Sequence, residues 1–75
     1  MDQFNRIIES ALNLFMREGV KTVNMDDISS FMGISKKTLY QYVNNKADLV
    51  EKAFRLYQSR ILGMISNIQE KNENE

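Results

Sequence analysis

Apolar residues in this chain recur at a helical period, and glycine interrupts that period at two points. Phe4, Ile7, Ile8, Ala11, Leu12, Phe15 and Met16 follow the i, i+3, i+4, i+7 spacing of a helix with one buried stripe, while Arg6, Glu9, Asn13 and Arg17 fall between them and face water. Gly19 follows the last periodic residue and is placed to close the helix in the left-handed region without a Cβ penalty. A first helix is expected over about residues 3–18.

A second helix is expected over about residues 25–32, capped by Asn24, with Asp27 three residues on to return the bond. Asp26 and Asp27 also suit the positive end of its dipole, and its inner face reads Met25, Ile28, Phe31 and Met32. Gly33 stops it, and Ile34 follows as an apolar plug in a turn too short for the next helix to run parallel. Ser35 caps a third helix expected over about residues 35–42, in which Leu39 is the one plain core residue. The rest of that helix carries long hydrogen-bonding side chains outward. A helix that only packs buries a wider stripe; one lying in a DNA groove about 12 Å wide needs a polar outer face over a single anchoring line. The spacing of Ile28, Ser29, Met32, Gly33, Ile34, Leu39 and Tyr42 fits two short helices crossed at roughly 90–120° around a tight turn.

Asn45 is the expected cap of a fourth helix, with Asp48 as reciprocal partner and Leu49, Val50, Ala53, Phe54, Tyr57, Ile61, Leu62, Ile65 and Ile68 as its apolar stripe. From 46 to about 70 it would be roughly 37 Å long, more than three short helices need as a packing surface. Its distal half, with Leu62, Ile65 and Ile68, has a further C-terminal domain, a second copy, both, or simply solvent to face. The expected class is therefore all-α: a three-helix, homeodomain-like helix-turn-helix head over residues 1–46, a long fourth helix over 46–70, and a polar tail at 71–75. Phe4, Ile8, Ala11, Leu12, Phe15, Ile28, Met32, Ile34, Leu39, Leu49, Val50 and Phe54 form the expected core.

Seventy-five residues support one hydrophobic core, and 43% hydrophobic with 27% charged residues is a globular composition. Absence of cysteine and histidine removes disulfide, thiolate, zinc-cluster and imidazole-base chemistry. Asp26 and Asp27 are adjacent and do not face one another on a helix, so they make no acid-base pair. No catalytic function, metal or cofactor is expected. Nor is a membrane span or signal peptide, which points to a cytoplasmic chain. Charge is less informative. Ten Lys and Arg balance ten Asp and Glu, and segments 1–24, 25–50 and 51–75 carry three, three and four charges of each sign. A duplex binder is often basic, so a DNA-facing surface must come from folding cations onto one side. A helical protein-interaction domain accounts more naturally for the zero net charge, and the polar third helix is what separates the two.

ALNLFMREG and the run MDDISSFMGISKKTLYQYVNNKADLV resemble the N-terminal DNA-binding domain of TetR/AcrR-type regulators over about residues 5–55, most distinctively in SKKTLYQYVNNKADLV. The resemblance implies a homodimeric regulator, more often a repressor than an activator, that binds a pseudo-palindromic double-stranded operator. It also implies a C-terminal domain, absent from these residues, that binds a small-molecule inducer. Four positions depart from the family pattern. Lys37 stands where many members have glycine, Val43 where phenylalanine is common, and Ser29 where alanine is usual. Asp26 puts a carboxylate where a basic or neutral residue is frequent, repelling phosphate unless it caps the helix or accepts from a cytosine amino group.

Phosphates position such a head and base edges give it specificity. Thr38, Tyr42 and Lys46 supply a hydroxyl, a phenol and an ammonium for phosphate, roles the family resemblance also implies. Asn24 adds a phosphate bond through its amide or serves only as a cap. For base edges the candidates are Lys36, Lys37, Tyr40 and Gln41. Lysine donates to guanine O6 or N7, glutamine bonds adenine in bidentate fashion, and a tyrosine ring packs on a thymine methyl. Tyr40 could touch phosphate instead, and the two lysines could be a merely solvated pair.

Overall fold

The computed structural model describes the backbone of residues 2–73 and side-chain environments as far as Met64. Four helices follow in order: α1 (Gln3–Glu18), α2 (Met25–Met32), α3 (Lys36–Leu39) and α4 (Lys46–Glu73). α1 begins at Asp2, whose carboxylate accepts from the Asn5 N–H at 2.8 Å, a cap that the apolar pattern did not reveal. It ends at Gly19, whose N–H donates to the Phe15 carbonyl at 2.8 Å. Gly19 has φ 94° and ψ 139°, so its freedom is used for a positive-φ extended turn and not for the left-handed helical cap expected there.

α2 carries the expected capping box. The Asn24 side chain accepts from the Asp27 N–H and the Asp27 carboxylate accepts from the Asn24 N–H, both at 2.9 Å. Gly33 closes it in the left-handed conformation, φ 72° and ψ 30°. Its N–H donates to the Ser30 carbonyl at 3.1 Å and the Ile34 N–H to the Ser29 carbonyl at 3.0 Å, the paired bonds of a Schellman turn. The chain is thereby redirected within two residues. Ser29 is buried at the crossing, and its hydroxyl donates back to the Asp26 carbonyl at 3.1 Å.

α1 packs chiefly against α4, with α2 on α1 and α3 on α2. The core comprises Ile7, Ile8, Ala11, Leu12, Leu14 and Phe15 of α1, Val23, Met25 and Ile28 around α2, Leu39 and Val43, and Leu49 and Ala53 of α4. Met32, Ile34 and Val50, expected in the core, are only partly buried against it. Phe4 and Phe54 correct the expectation further, being exposed at 36% and 58%. The inner line of α4 runs through Leu49 and Ala53, so Phe54, about 100° further round, turns outward and meets Tyr57 at a ring separation of 6.4 Å. Met16 and Phe31 also face outward, the latter under the Arg17 guanidinium at 5.5 Å.

α4 extends three residues beyond its expected end near 70, because no glycine or proline stops the backbone after the apolar stripe. Arg60 reaches Glu9 at 2.8 Å and ties it to α1. Beyond that pair Ile61, Leu62 and Met64 are exposed, while the side chains of Ile65 and Ile68 lie outside the described residues. The described fold is all-α, a helix-turn-helix followed by a long helix. No described helix is long and apolar enough to cross a membrane.

Candidate nucleic-acid interface

The third helix is shorter than its sequence pattern implies. α3 is regular only over Lys36–Leu39, and Tyr40 to Tyr42 form a tighter turn in which the Gln41 N–H donates to the Thr38 carbonyl at 3.1 Å and the Tyr42 N–H to that of Leu39 at 3.0 Å. Two inward anchors hold this turn on the core. Leu39 is fully buried and Val43, four residues on, is buried at 3% exposure, so both ends of the turn are fastened to the core. Lys36, Lys37, Tyr40 and Gln41 are left exposed on its outer side.

Local hydrogen bonds set the direction of the hydroxyls. The Ser35 oxygen accepts from the Thr38 N–H at 3.1 Å and its O–H donates to Thr38 Oγ1 at 3.0 Å. With Oγ1 already accepting, the Thr38 proton is available to donate outward, as an anion contact requires. Tyr42 is half-buried, its ring held 6.5 Å from that of Phe4, so the N-terminus of α1 braces the far end of the turn after α3.

The passage into α4 is stapled by Asp48. Asn45 Oδ1 accepts from the Asp48 N–H at 2.8 Å, the expected cap, but the carboxylate returns its bond to the N–H of Asn44 and not to that of Asn45, again at 2.8 Å. The Lys52 ammonium, bonded to the other carboxylate oxygen, and the Asn44 N–H together hold the Asp48 carboxyl below the usual carboxylate range. Lys46 is thereby placed at the first position of α4, half-buried, beside backbone N–H groups that favour an anion. In Asn24 the capping box occupies the carboxamide oxygen and the backbone N–H, leaving Nδ2 as the polar group these two bonds do not use.

Ion pairing distributes the balanced charge unevenly over the surface. Arg17, Lys36, Lys52, Arg55 and Arg60 are each paired with a carboxylate, at Glu18, Asp26, Asp48, Glu51 and Glu9 respectively. Among the described residues Arg6, Lys21, Lys37 and Lys46 have no such partner, and the last two belong to the α3 segment or its immediate continuation. Lys36 is the exception on this surface. Its ammonium lies 3.0 Å from Asp26 Oδ1, and that hydrogen bond and charge raise its pKa above the ordinary lysine value. The departure of Asp26 from the family pattern was visible in the sequence, but its partner, ten positions on across the Gly33 turn, was not.

Two crossed short helices around a Schellman turn, the second anchored by a single buried line and polar outside, define a helix-turn-helix DNA-binding head. The chain belongs to the bacterial regulatory proteins of the tetR family, whose sequence profile matches residues 7–53. Such proteins are DNA-binding transcription regulators and not enzymes. Among the described residues no group of three or more acidic, histidine or cysteine side chains is placed to hold a metal ion. The chain is 35% identical over 49 residues to the biofilm operon icaADBC HTH-type negative transcriptional regulator IcaR of Staphylococcus epidermidis, covering 65% of this chain and 26% of that protein. It is 37% identical over 46 residues to the HTH-type transcriptional regulator TtgR of Pseudomonas putida, covering 61% and 22%. To the putative mycofactocin biosynthesis transcriptional regulator MftR of Mycobacterium tuberculosis it is 30% identical over 64 residues, covering 85% and 32%. The chain thus spans between about a fifth and a third of the length of these relatives. No solved structure matches it at a comparable level.

Proposed function

We propose that this chain is the operator-reading head of a ligand-responsive repressor, acting as a homodimer on a pseudo-palindromic double-stranded site. α3 enters the major groove with Lys36, Lys37, Tyr40 and Gln41 toward base edges, while Asn24, Thr38, Tyr42 and Lys46 fasten the head to phosphates on either side. The observation that carries this reading is the exposure of four long polar side chains around a turn whose Leu39 and Val43 are buried. A helix serving only as scaffold has no use for that asymmetry. The description of IcaR as a negative regulator supports repression over activation.

Dimerisation belongs to the whole regulator, and the exposed Ile61, Leu62 and Met64 are the part of this chain best suited to join it. A small-molecule inducer would bind outside these residues, in the larger portion of the regulator that the relatives' lengths imply. Cytoplasmic location follows from the substrate, genomic DNA. Fluorescence anisotropy against a random-sequence duplex at low salt tests the DNA reading. Saturable binding that weakens steeply with salt is expected, and a flat signal at the lowest salt contradicts it.

A further inference from the structure

Asp26 stands in the first turn of α2 but takes no part in its capping box, which Asp27 fills. Its carboxylate instead spans the helix-turn-helix and accepts from the ammonium of Lys36, the first residue of α3, at 3.0 Å. A carboxylate at that distance makes the charge-assisted hydrogen bond a phosphate or a base-edge acceptor would otherwise make. Both side chains are largely open to water, at 54% and 69% exposure, so the pair is weak enough for another acceptor to break. Lys36 and Lys37 therefore arrive at the duplex unequally: Lys37 is unpaired among the described residues, and Lys36 is already held.

We propose that Asp26 is a specificity-determining residue, an internal competitor that keeps Lys36 from an indiscriminate phosphate contact and yields it only to a better acceptor at the operator. The proposal rests on the DNA-binding reading above. On random duplex, giving up the Asp26 carboxylate offsets most of what a single phosphate contact by Lys36 would contribute. On a site that places guanine O6 and N7 both within reach of the ammonium, two bonds in the groove replace the one to an exposed carboxylate. Discrimination then comes from withholding affinity for the wrong sequence as well as from adding it for the right one.

The test compares wild type, Asp26→Asn, Lys36→Met and the double variant of the 75-residue chain, each checked for helical circular dichroism. Each is titrated across a salt series against random duplex and against a duplex selected by the wild-type chain from a random pool. Asp26→Asn leaves the capping box intact, and Asp26→Ser repeats the experiment with a different side chain. On random duplex, loss of the carboxylate is expected to tighten binding roughly three- to tenfold near 0.1 M salt and to steepen the salt slope by about one. The selected duplex is expected to gain less, so the ratio between the two falls. In the Lys36→Met background both effects should vanish.

An equal gain with and without Lys36 would show Asp26 repelling phosphate directly, and overturn the proposal. Weaker binding by Asp26→Asn would show the carboxylate orienting Lys36 for contact, and overturn it in the opposite sense. An unchanged Asp26→Asn variant, on a wild type that binds normally, would remove this inference alone. Failure of the wild-type chain to bind any duplex would remove the DNA reading and this inference with it.

Discussion

Single side chains divide here into those that hold the reading turn and those it presents. Gln41 is exposed on the outer side, and Gln41→Ala should lose about 1–3 kcal/mol of discrimination at one operator position, measured by titrating duplexes substituted at each base pair in turn. An equal loss on every duplex would make it a backbone contact. Leu39 is the opposite kind of residue. It is fully buried, so Leu39→Ala should cost about 2–5 kcal/mol in urea unfolding and abolish DNA binding through the fold. Asp48 couples the site to pH. Its carboxyl is held below its unfolded value, so the stability it adds is present above the ordinary carboxylate range and lost as pH falls through the depressed value. The wild type's advantage over Asp48→Asn should therefore shrink as thermal melts move from neutral pH down through the ordinary carboxylate range, and a constant gap would contradict the staple. The polar identities of Lys36, Lys37, Tyr40 and Gln41 were legible in the sequence because only Leu39 among their neighbours demanded burial. The engagement of Lys36 by Asp26 was not, since an ion pair across a turn depends on where two helices end up.

At the scale of elements, local signals specified most of what the chain does. Asn24 with Asp27 and Ser35 with Thr38 are short-range caps, and each forms as its spacing implies. The Gly33 turn shows why such signals suffice: nothing lies within 4 Å of a Cβ built there, so the demand for glycine is purely conformational, at φ 72°. Gly33→Ala should accordingly cost about 1–2 kcal/mol from left-handed strain alone, measured by urea unfolding, with asparagine recovering part of it. No cost would mean that the turn relaxes to another conformation. Elements were misjudged where tertiary contact overrides period. α3 ends at Leu39 and not Tyr42, the next residues closing i to i+3 bonds from Gln41 to Thr38 and from Tyr42 to Leu39 that the apolar spacing does not encode. Phe54 sits on the α4 stripe by spacing yet faces outward, because α1 contacts a narrower line than the stripe is wide. Leu14 and Val23 are buried although neither belongs to the stripe of α1 or the inner face of α2, since α2 folds back over them.

For the whole molecule, neutrality and DNA binding are reconciled by arrangement. Five carboxylates pair with cations along α1, α2 and α4, and the lysines without partners among the described residues include the two nearest the reading turn, Lys37 and Lys46. Lys46→Ala should weaken binding to specific and random duplexes by the same factor and reduce the salt slope by about one, because a phosphate contact carries charge but no sequence information. Unchanged affinity and slope would remove Lys46 from the interface. The overall extents, 51 × 25 × 19 Å, describe a compact head with α4 projecting from it. That projection leaves apolar residues of α4 facing outward, and it is why a duplex and another protein surface compete as occupants of this chain. Backbone amide NMR of the 8.8 kDa chain, titrated with duplex DNA, separates them most directly. Shifts concentrated from Lys36 to Lys46, with Ile61, Leu62 and Met64 unmoved, are the result predicted. Shifts confined to α4 beyond Arg60, with Lys36 to Gln41 silent, would contradict the assignment of α3 as the surface that reads DNA.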